Sequence, residues 1–389
     1  MSGRPGQTWY EVNADNVANS NRFLRAFWAA LRHYLGPYAW LFQPYKNGEN
    51  KIVRFGRVSF SESTVVEFGI SYDRRGVIDQ LWCRPETDDE SLREGVSESV
   101  ENARRILHHP RSEWYTVEIS VFPHVEMANY TADYIKLTGL TSGAVALSLN
   151  IPGYDRIDRQ TQFYNTAAPI LDALSVFTNC SYQYCTTSGH EEFSEEPNVR
   201  WCPPDWLDDF PLMRGRLSIS SSQLRYLDQL TIESSDSSAV HAARLFHQAI
   251  KLDNEGSLTM KDAARMLYLS ALEAASAPEQ NPNKCVECGQ SIYSIRKRVR
   301  DVTSRYLGEA AEKIIDQAYR ARSGYLHTGN VLGKTDLRAG AGPQLDPSAQ
   351  SGCIRPAGLD NTINVREFIS YILRKIAIDQ RSGTASHQS

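Results

Sequence analysis

Tyr319-Arg320-Ala321-Arg322-Ser323-Gly324-Tyr325-Leu326-His327 closes a helix predicted over Ala310–Tyr325. Four residues separate Arg322 from His327, and a small polar residue follows the arginine directly. A guanidinium can clamp a phosphate through two parallel hydrogen bonds. An imidazole can take and give a proton near neutral pH. Those two groups suffice to cleave a phosphodiester without a metal.

Helical periodicity surrounds this stretch. Ala242, Leu245, Phe246 and Ala249 form one apolar stripe, and a second helix is predicted over Thr259–Ala275. A third, Ser291–Tyr306, turns Ile292, Ile295, Val299, Val302 and Tyr306 inward. After a Gly- and Pro-rich excursion from Thr328 to Asn361, Val365–Ala377 presents Phe368, Ile369, Ile372 and Ile376. Residues 236–380 therefore read as an all-helical bundle, followed by a disordered tail at 381–389.

The first half has a different texture. Asn21–Leu35 carries Phe23, Leu24, Phe27, Trp28, Leu31, Tyr34 and Leu35 on one helical stripe. Tyr115, Val117, Ile119 and Val121 alternate with polar residues, as do Val145, Leu147, Leu149 and Ile151, the period of half-buried strands. Further strands are expected at Ile52–Phe60 and Thr64–Ile70, and a helix at Gln162–Phe177. Residues 1–185 thus read as a mixed α/β recognition or sensor domain. From 186 to 235, Glu191, Glu192, Glu195 and Glu196 stand among Pro197, Pro203, Pro204 and Pro211, which reads as an acidic connector. The expected fold class is α+β.

Composition narrows the function classes. The chain has 389 residues, 41% hydrophobic and 23% charged, ordinary values for a globular protein. No run of eighteen apolar residues occurs, and MSGRPGQTWYEVN lacks the apolar core of a signal peptide. Seven cysteines without a dense framework fit a reducing compartment, so the cytoplasm is expected and no membrane partner is. A Walker loop, a G-x-G-x-x-G and a G-x-S-x-G elbow are all absent. Cys285-x2-Cys288 has the spacing of half a zinc knuckle; Cys353 with His327 or His190 would have to complete it, and no metal or cofactor is assigned. Cys180, Cys185 and Cys202 form a looser cluster.

The helix order, with Leu267-Tyr268-Leu269-Ser270-Ala271-Leu272-Glu273-Ala274 ending the second helix and Tyr-x-x-Arg-Ser-x-x-x-His-x-Gly ending a later one, resembles the Apea-like branch of the HEPN superfamily. The resemblance covers residues 236–380. It implies a helical domain that forms a homodimer and brings two Arg-His pairs together over RNA. The implied activity is metal-independent endoribonucleolytic hydrolysis, in a toxin or antiviral defence effector controlled by a protein or small-molecule trigger at the N-terminal domain. The alternative is a catalytically inactive HEPN-like dimer serving as sensor or scaffold.

The residues permit a mechanism in which an RNA 2′-hydroxyl attacks the adjacent phosphorus. His327 handles the protons, Arg322 holds the phosphate, and Ser323 hydrogen-bonds the phosphate or orients the histidine. Glu273 shares a face with Leu269 and Met266, so an inward carboxylate there needs a partner. Arg322 would make it a catalytic support; Arg320 or Arg265 would make it an ordinary salt bridge. On an ideal helix Arg322 and His327 diverge by about 140°. They converge if the helix ends near Gly324 or if dimerisation supplies the second group. Without catalysis, Arg322 and His327 would serve the C-terminal end of a helix. A basic face on the third helix, Arg296, Lys297 and Arg300, joins Arg320 as the expected RNA contact. Lys284 to Arg322 holds nine basic and five acidic residues within a chain of net charge −4.

Overall fold

The computed structural model describes residues 6–12, 14–47, 52–61, 64–73, 76–87, 89–122, 124–140, 143–185, 212–213, 216–232, 237–255, 258–277, 295–328, 344–345, 354–355 and 362–385. Helices and antiparallel sheets are both present, and the chain divides into two compact units. Among the described residues no helix is long and apolar enough to cross a membrane.

The first unit comprises residues 1–113 and 151–163. It contains β1 (Thr8–Glu11), α1 (Val17–Leu35), β2 (Ala39–Asn47), β3 (Ile52–Ser59), β4 (Val65–Tyr72), β5 (Ile78–Pro85) and α2 (Glu90–Ile106). The strands form an antiparallel sheet in the order β1-β5-β4-β3-β2. Asn16 caps α1 by accepting from the Asn19 N–H, and Asp89 caps α2 by accepting from Leu92. The α1 stripe meets the sheet in one core in which Phe23, Phe27 and Leu31 pack with Val58, Val66, Phe68 and Leu81, and with Val96 and Val100 of α2. Residues 151–163 are tied to α1 by two bidentate pairs, Arg25–Asp158 and Arg32–Asp155. Trp82 lies across Gly69, where an added Cβ would stand 2.4 Å from the indole and from the Val53 carbonyl oxygen. Only glycine fits there.

The second unit comprises residues 114–150 and 164–389. In chain order the elements after α2 are β6 (Arg111–Phe122), β7 (Tyr130–Thr131), β8 (Ile135–Gly139), β9 (Ala144–Gly153), α3 (Arg156–Thr178), β10 (Ser181–Tyr184), β11 (Leu212–Met213) and β12 (Arg216–Leu217). They continue with α4 (Ser221–Ile232), α5 (Ser238–Asn254), α6 (Leu258–Ala275), α7 (Ile295–Thr328), β13 (Gln344–Leu345), β14 (Ile354–Arg355) and α8 (Thr362–Ala385). The larger sheet runs β10-β6-β9-β8-β7, with Ile119, Val121, Ile135, Leu137, Val145, Leu147 and Leu149 buried at alternate positions. Within the helices, α6 packs on α5, α8 and α7, and α8 touches α4, α5 and α7.

Three expectations change. The division expected at residue 185 is not where the contacts divide, because 114–150 and 164–185 belong with the helices. Buried polar contacts hold the second of these segments there: Asn179 Nδ2 donates to Glu367 Oε2 at 2.6 Å, and the Tyr182 N–H donates to His247 at 3.1 Å. Such contacts leave no periodic trace in sequence. The segment expected to be a connector contains α4, which buries Tyr226, Leu227 and Leu230. The tail expected from 381 begins inside α8, which extends to Ala385. The third and fourth helices of the expected bundle are the two arms of α7, which breaks at Gly308 (φ 80°, ψ 178°), between the expected end at Tyr306 and the expected start at Ala310. That break is sharp. Arg296 pairs with Asp316 and Arg300 with Glu312, whereas residues twenty apart on a straight helix are separated by about 30 Å. The two arms therefore fold back on each other as a helical hairpin, and glycine supplies the positive φ at its turn.

One buried dyad makes the second unit acid-sensitive. His247 is 2% exposed; its Nε2 accepts the Tyr182 N–H, so the ring proton sits on Nδ1, 2.7 Å from Asp172 Oδ1. Burial lowers its pKa, against the opposing effect of Asp172. With the folded value below the unfolded one of about 6.5, the unfolded chain takes up a proton first as pH falls. Stability from this site is therefore complete above about pH 6.5 and is lost on descending toward the folded pKa. Urea unfolding at pH 7.5, 6.5 and 5.5 is expected to show the decline, with a shallower slope in His247→Gln. Equal slopes in the two proteins would remove His247 from the account.

Candidate active site

Two helices build the cluster around Arg322. On α6, Ser270 and Glu273 are three residues apart; on α7, Tyr319 and Arg322 repeat that spacing, so each pair shares a helix face. Arg322 Nη1 donates to Glu273 Oε2, and Nη2 donates to Ser270 Oγ at 3.1 Å. Ser270 gives its own hydroxyl proton to the Met266 carbonyl at 2.9 Å, which turns an oxygen lone pair toward the guanidinium. Arg322 Cζ stands 5.4 Å from the centroid of the Tyr319 ring. Burial raises the Tyr319 phenol above its usual pKa, and Glu273 adds to the shift.

These contacts orient Arg322 without exhausting it. The side chain is 17% exposed, and Nε has no hydrogen-bond partner among the described residues. Nη1 and Nη2 carry two hydrogens each, four donors against the hydrogen bonds to Glu273 and Ser270. The pairing that inward-facing Glu273 required is thus with Arg322, not with Arg320 or Arg265. Ser270 and Tyr319 had no expected role, although both stand one helical turn before a residue singled out for chemistry. That spacing was the available signal.

The side chains of Ser323 and His327 lie outside the described residues. The backbone of α7 nevertheless runs through Gly324 to Thr328. A helix end near Gly324 is one of two ways for the pair to converge; the helix does not end there, and positions 322 and 327 point about 140° apart around it.

The basic face is also changed by its partners. Arg296 donates from Nε and Nη2 to the two oxygens of Asp316, at 2.6 and 2.8 Å. Arg320 reaches the same carboxylate at 2.8 Å, and Arg300 meets Glu312 at 2.5 Å. Of the four expected RNA contacts, three are ion-paired within α7; Lys297 is exposed. The charges expected to form a bare basic stripe are compensated because the hairpin lays an acidic arm against them. Asp316 is pulled below the usual carboxylate pKa, first by Arg296 and also by Arg320, while burial opposes the shift.

Among the described residues no group of three or more His, Cys, Asp or Glu side chains could hold a metal ion. Cys285, Cys288, Cys353, His190 and Cys202 lie outside the described residues. Cys180 is buried, with its thiol pushed up to about 12, and is chemically quiet. Neither a protein-family model, nor a curated protein, nor a solved structure matches this chain.

Proposed function

We propose that this protein is a metal-independent RNA endonuclease of the HEPN type, acting in the cytoplasm as a homodimer through its helical bundle. In this reading it is a toxin or antiviral effector, and the N-terminal region receives the trigger. The observation that carries the reading is the held guanidinium: Glu273 and Ser270 of α6 fix Arg322 while leaving it further donors. A pre-oriented donor set is what stabilises charge that develops on a phosphate during transfer. His327 takes the 2′-hydroxyl proton or protonates the departing 5′-oxygen. The new P–O2′ bond forms as the P–O5′ bond breaks, leaving a 2′,3′-cyclic phosphate and a 5′-hydroxyl. Because α7 turns positions 322 and 327 apart, the composite site draws Arg322 from one chain and His327 from its partner.

A second reading is an inactive dimeric scaffold. The observation that favours it is the compensation of Arg322, Arg296, Arg300 and Arg320 by carboxylates. The deciding experiment incubates the protein and its His327→Ala variant with total RNA in EDTA, with virus-infected cell extract as a source of trigger. Cleavage by the wild type alone, ending in 2′,3′-cyclic phosphates, is the expected result. Equal cutting by both places the activity elsewhere. No cutting even with extract moves the protein to the scaffold reading.

A further inference from the structure

The α7 hairpin opposes an arginine-bearing arm to a carboxylate-bearing one. Arg296 and Arg300 precede the turn at Gly308; Glu312 and Asp316 follow it. The carboxylates lie beneath: Asp316 is 10% exposed and Glu312 15%, against 47% for Arg296, 50% for Arg300 and 68% for Arg320. A polyanion arriving from solvent therefore meets guanidinium groups first. Arg296, however, gives its Nε/Nη2 edge to Asp316, and that edge is the one a phosphate would take in a bidentate contact. Arg320 and Arg300 likewise spend donors on carboxylates.

We propose that the α7 hairpin is an RNA-binding surface masked by its own acidic arm, with Glu312 and Asp316 holding the arginine edges that phosphodiester groups take over when RNA binds. The proposal rests on the reading that RNA is the substrate. Ion pairs this exposed on their cationic side are individually weak and weaken further in salt. Exchange of carboxylate for phosphate therefore needs no separation of the two arms. Each arginine turns from one anion to another within its own reach. Asp316 is ionised at neutral pH, as an ordinary aspartate is, and Arg296 and Arg320 lower its pKa further, so the mask is present under ordinary conditions. The consequence is a resting protein with low affinity for bulk RNA, in which neutralising two acids produces a gain.

The test is fluorescence anisotropy with a 5′-fluorescein single-stranded RNA 20-mer, using full-length His327→Ala protein so that the probe is not consumed. Affinity is measured from 50 to 300 mM KCl. Adding Glu312→Gln and Asp316→Asn is expected to tighten binding about tenfold at the lowest salt. The log–log salt slope should steepen by about 2, three freed arginines at about 0.7 each for single strands. The control Glu94→Gln/Glu98→Gln, on exposed positions of α2, makes the same change in net charge. An equal gain in that control overturns the proposal, as does an unchanged affinity in a folded Glu312/Asp316 variant. Should the double substitution unfold the protein, Asp316→Asn alone frees Arg296 and Arg320, and a gain of about fivefold is expected by the same counterion release. The nuclease reading stands or falls separately. Cleavage without a masking effect retains the nuclease and rejects the mask, while a masking effect without cleavage does the reverse.

Discussion

Arg322→Ala is expected to lower RNA cleavage by at least about 100-fold, the scale seen when one positioned donor to a developing oxyanion is removed. The effect follows from how the guanidinium is held. Glu273 takes one donor from Nη1, Ser270 takes one from Nη2, and the guanidinium lies over the Tyr319 ring, so the group is aimed before substrate arrives. Arg322→Lys is expected to recover little, because an ammonium on a flexible stem cannot reproduce a planar fork held at two points. Glu273→Gln should cost less, about tenfold, since it loosens the arginine's orientation while leaving it in place. The two changes meet in one contact and are expected to be non-additive: in the Arg322→Ala background, Glu273→Gln should have almost no further effect. Initial rates of the four proteins on one RNA substrate give the cycle. Wild-type rates in Arg322→Ala would eliminate the arginine from the chemistry.

Arg366→Met is expected to be the most destabilising single change in the second unit, by about 3–5 kcal/mol, the usual cost of stripping one partner from a buried ion pair. Arg366 on α8 is 8% exposed and lies between two carboxylates: Nη2 is 3.4 Å from Glu367 Oε1, and Nη1 is 3.6 Å from Asp253 Oδ2. Tyr268 donates to Asp253 at 3.3 Å, and Asn179 to the far oxygen of Glu367 at 2.6 Å. Methionine fills much of the volume but leaves two anions without their shared cation. Burial already raises the Glu367 pKa, against the pull of Arg366 and Arg374. Losing Arg366 drives it higher, and the carboxyl escapes part of the penalty by taking a proton. An acid whose folded pKa exceeds its unfolded value of about 4.3 binds more protons folded than unfolded. The loss in Arg366→Met is therefore expected to be smaller at pH 5.5 than at pH 8. Urea midpoints at the two pH values measure it. A loss under about 0.5 kcal/mol at both, the size of a surface change, would show that the network does not hold α8 in place.

The legible part of the fold was the part with a period. The stripe from Phe23 to Leu31 located α1, whose buried residues include Phe23, Phe27 and Leu31. Alternation at Val145, Leu147 and Leu149 located β9, and all three are buried. Glu273 was legible for a different reason: a carboxylate on an apolar helix face announces its need for a cation, though not which one. By contrast α4 was hidden. Its stripe of Tyr226, Leu227 and Leu230 is short and follows an acidic, proline-rich stretch that sets the local composition. The break near Gly308 was legible as the gap between helices predicted to end at Tyr306 and to begin at Ala310, but the fold-back of the two arms on each other was hidden.

What the sequence determined alone was local: where backbone hydrogen bonds close within a few residues, and which face of each element is apolar. Those properties depend on neighbours at spacings of two to four positions, and every such neighbour is written in the chain. The tertiary structure decided which elements share a unit and which charge meets which. Glu273 and Arg322 are 49 residues apart, Asp172 and His247 are 75, and Asn179 and Glu367 are 188. Contacts at those separations exist only after chain folding has lowered their distance to a few ångströms, and a single polar pair carries no periodicity to announce it. The same applies to Arg296 and Arg300. Their sequence marks them as a basic face, and only the turn at Gly308 brings Glu312 and Asp316 against them.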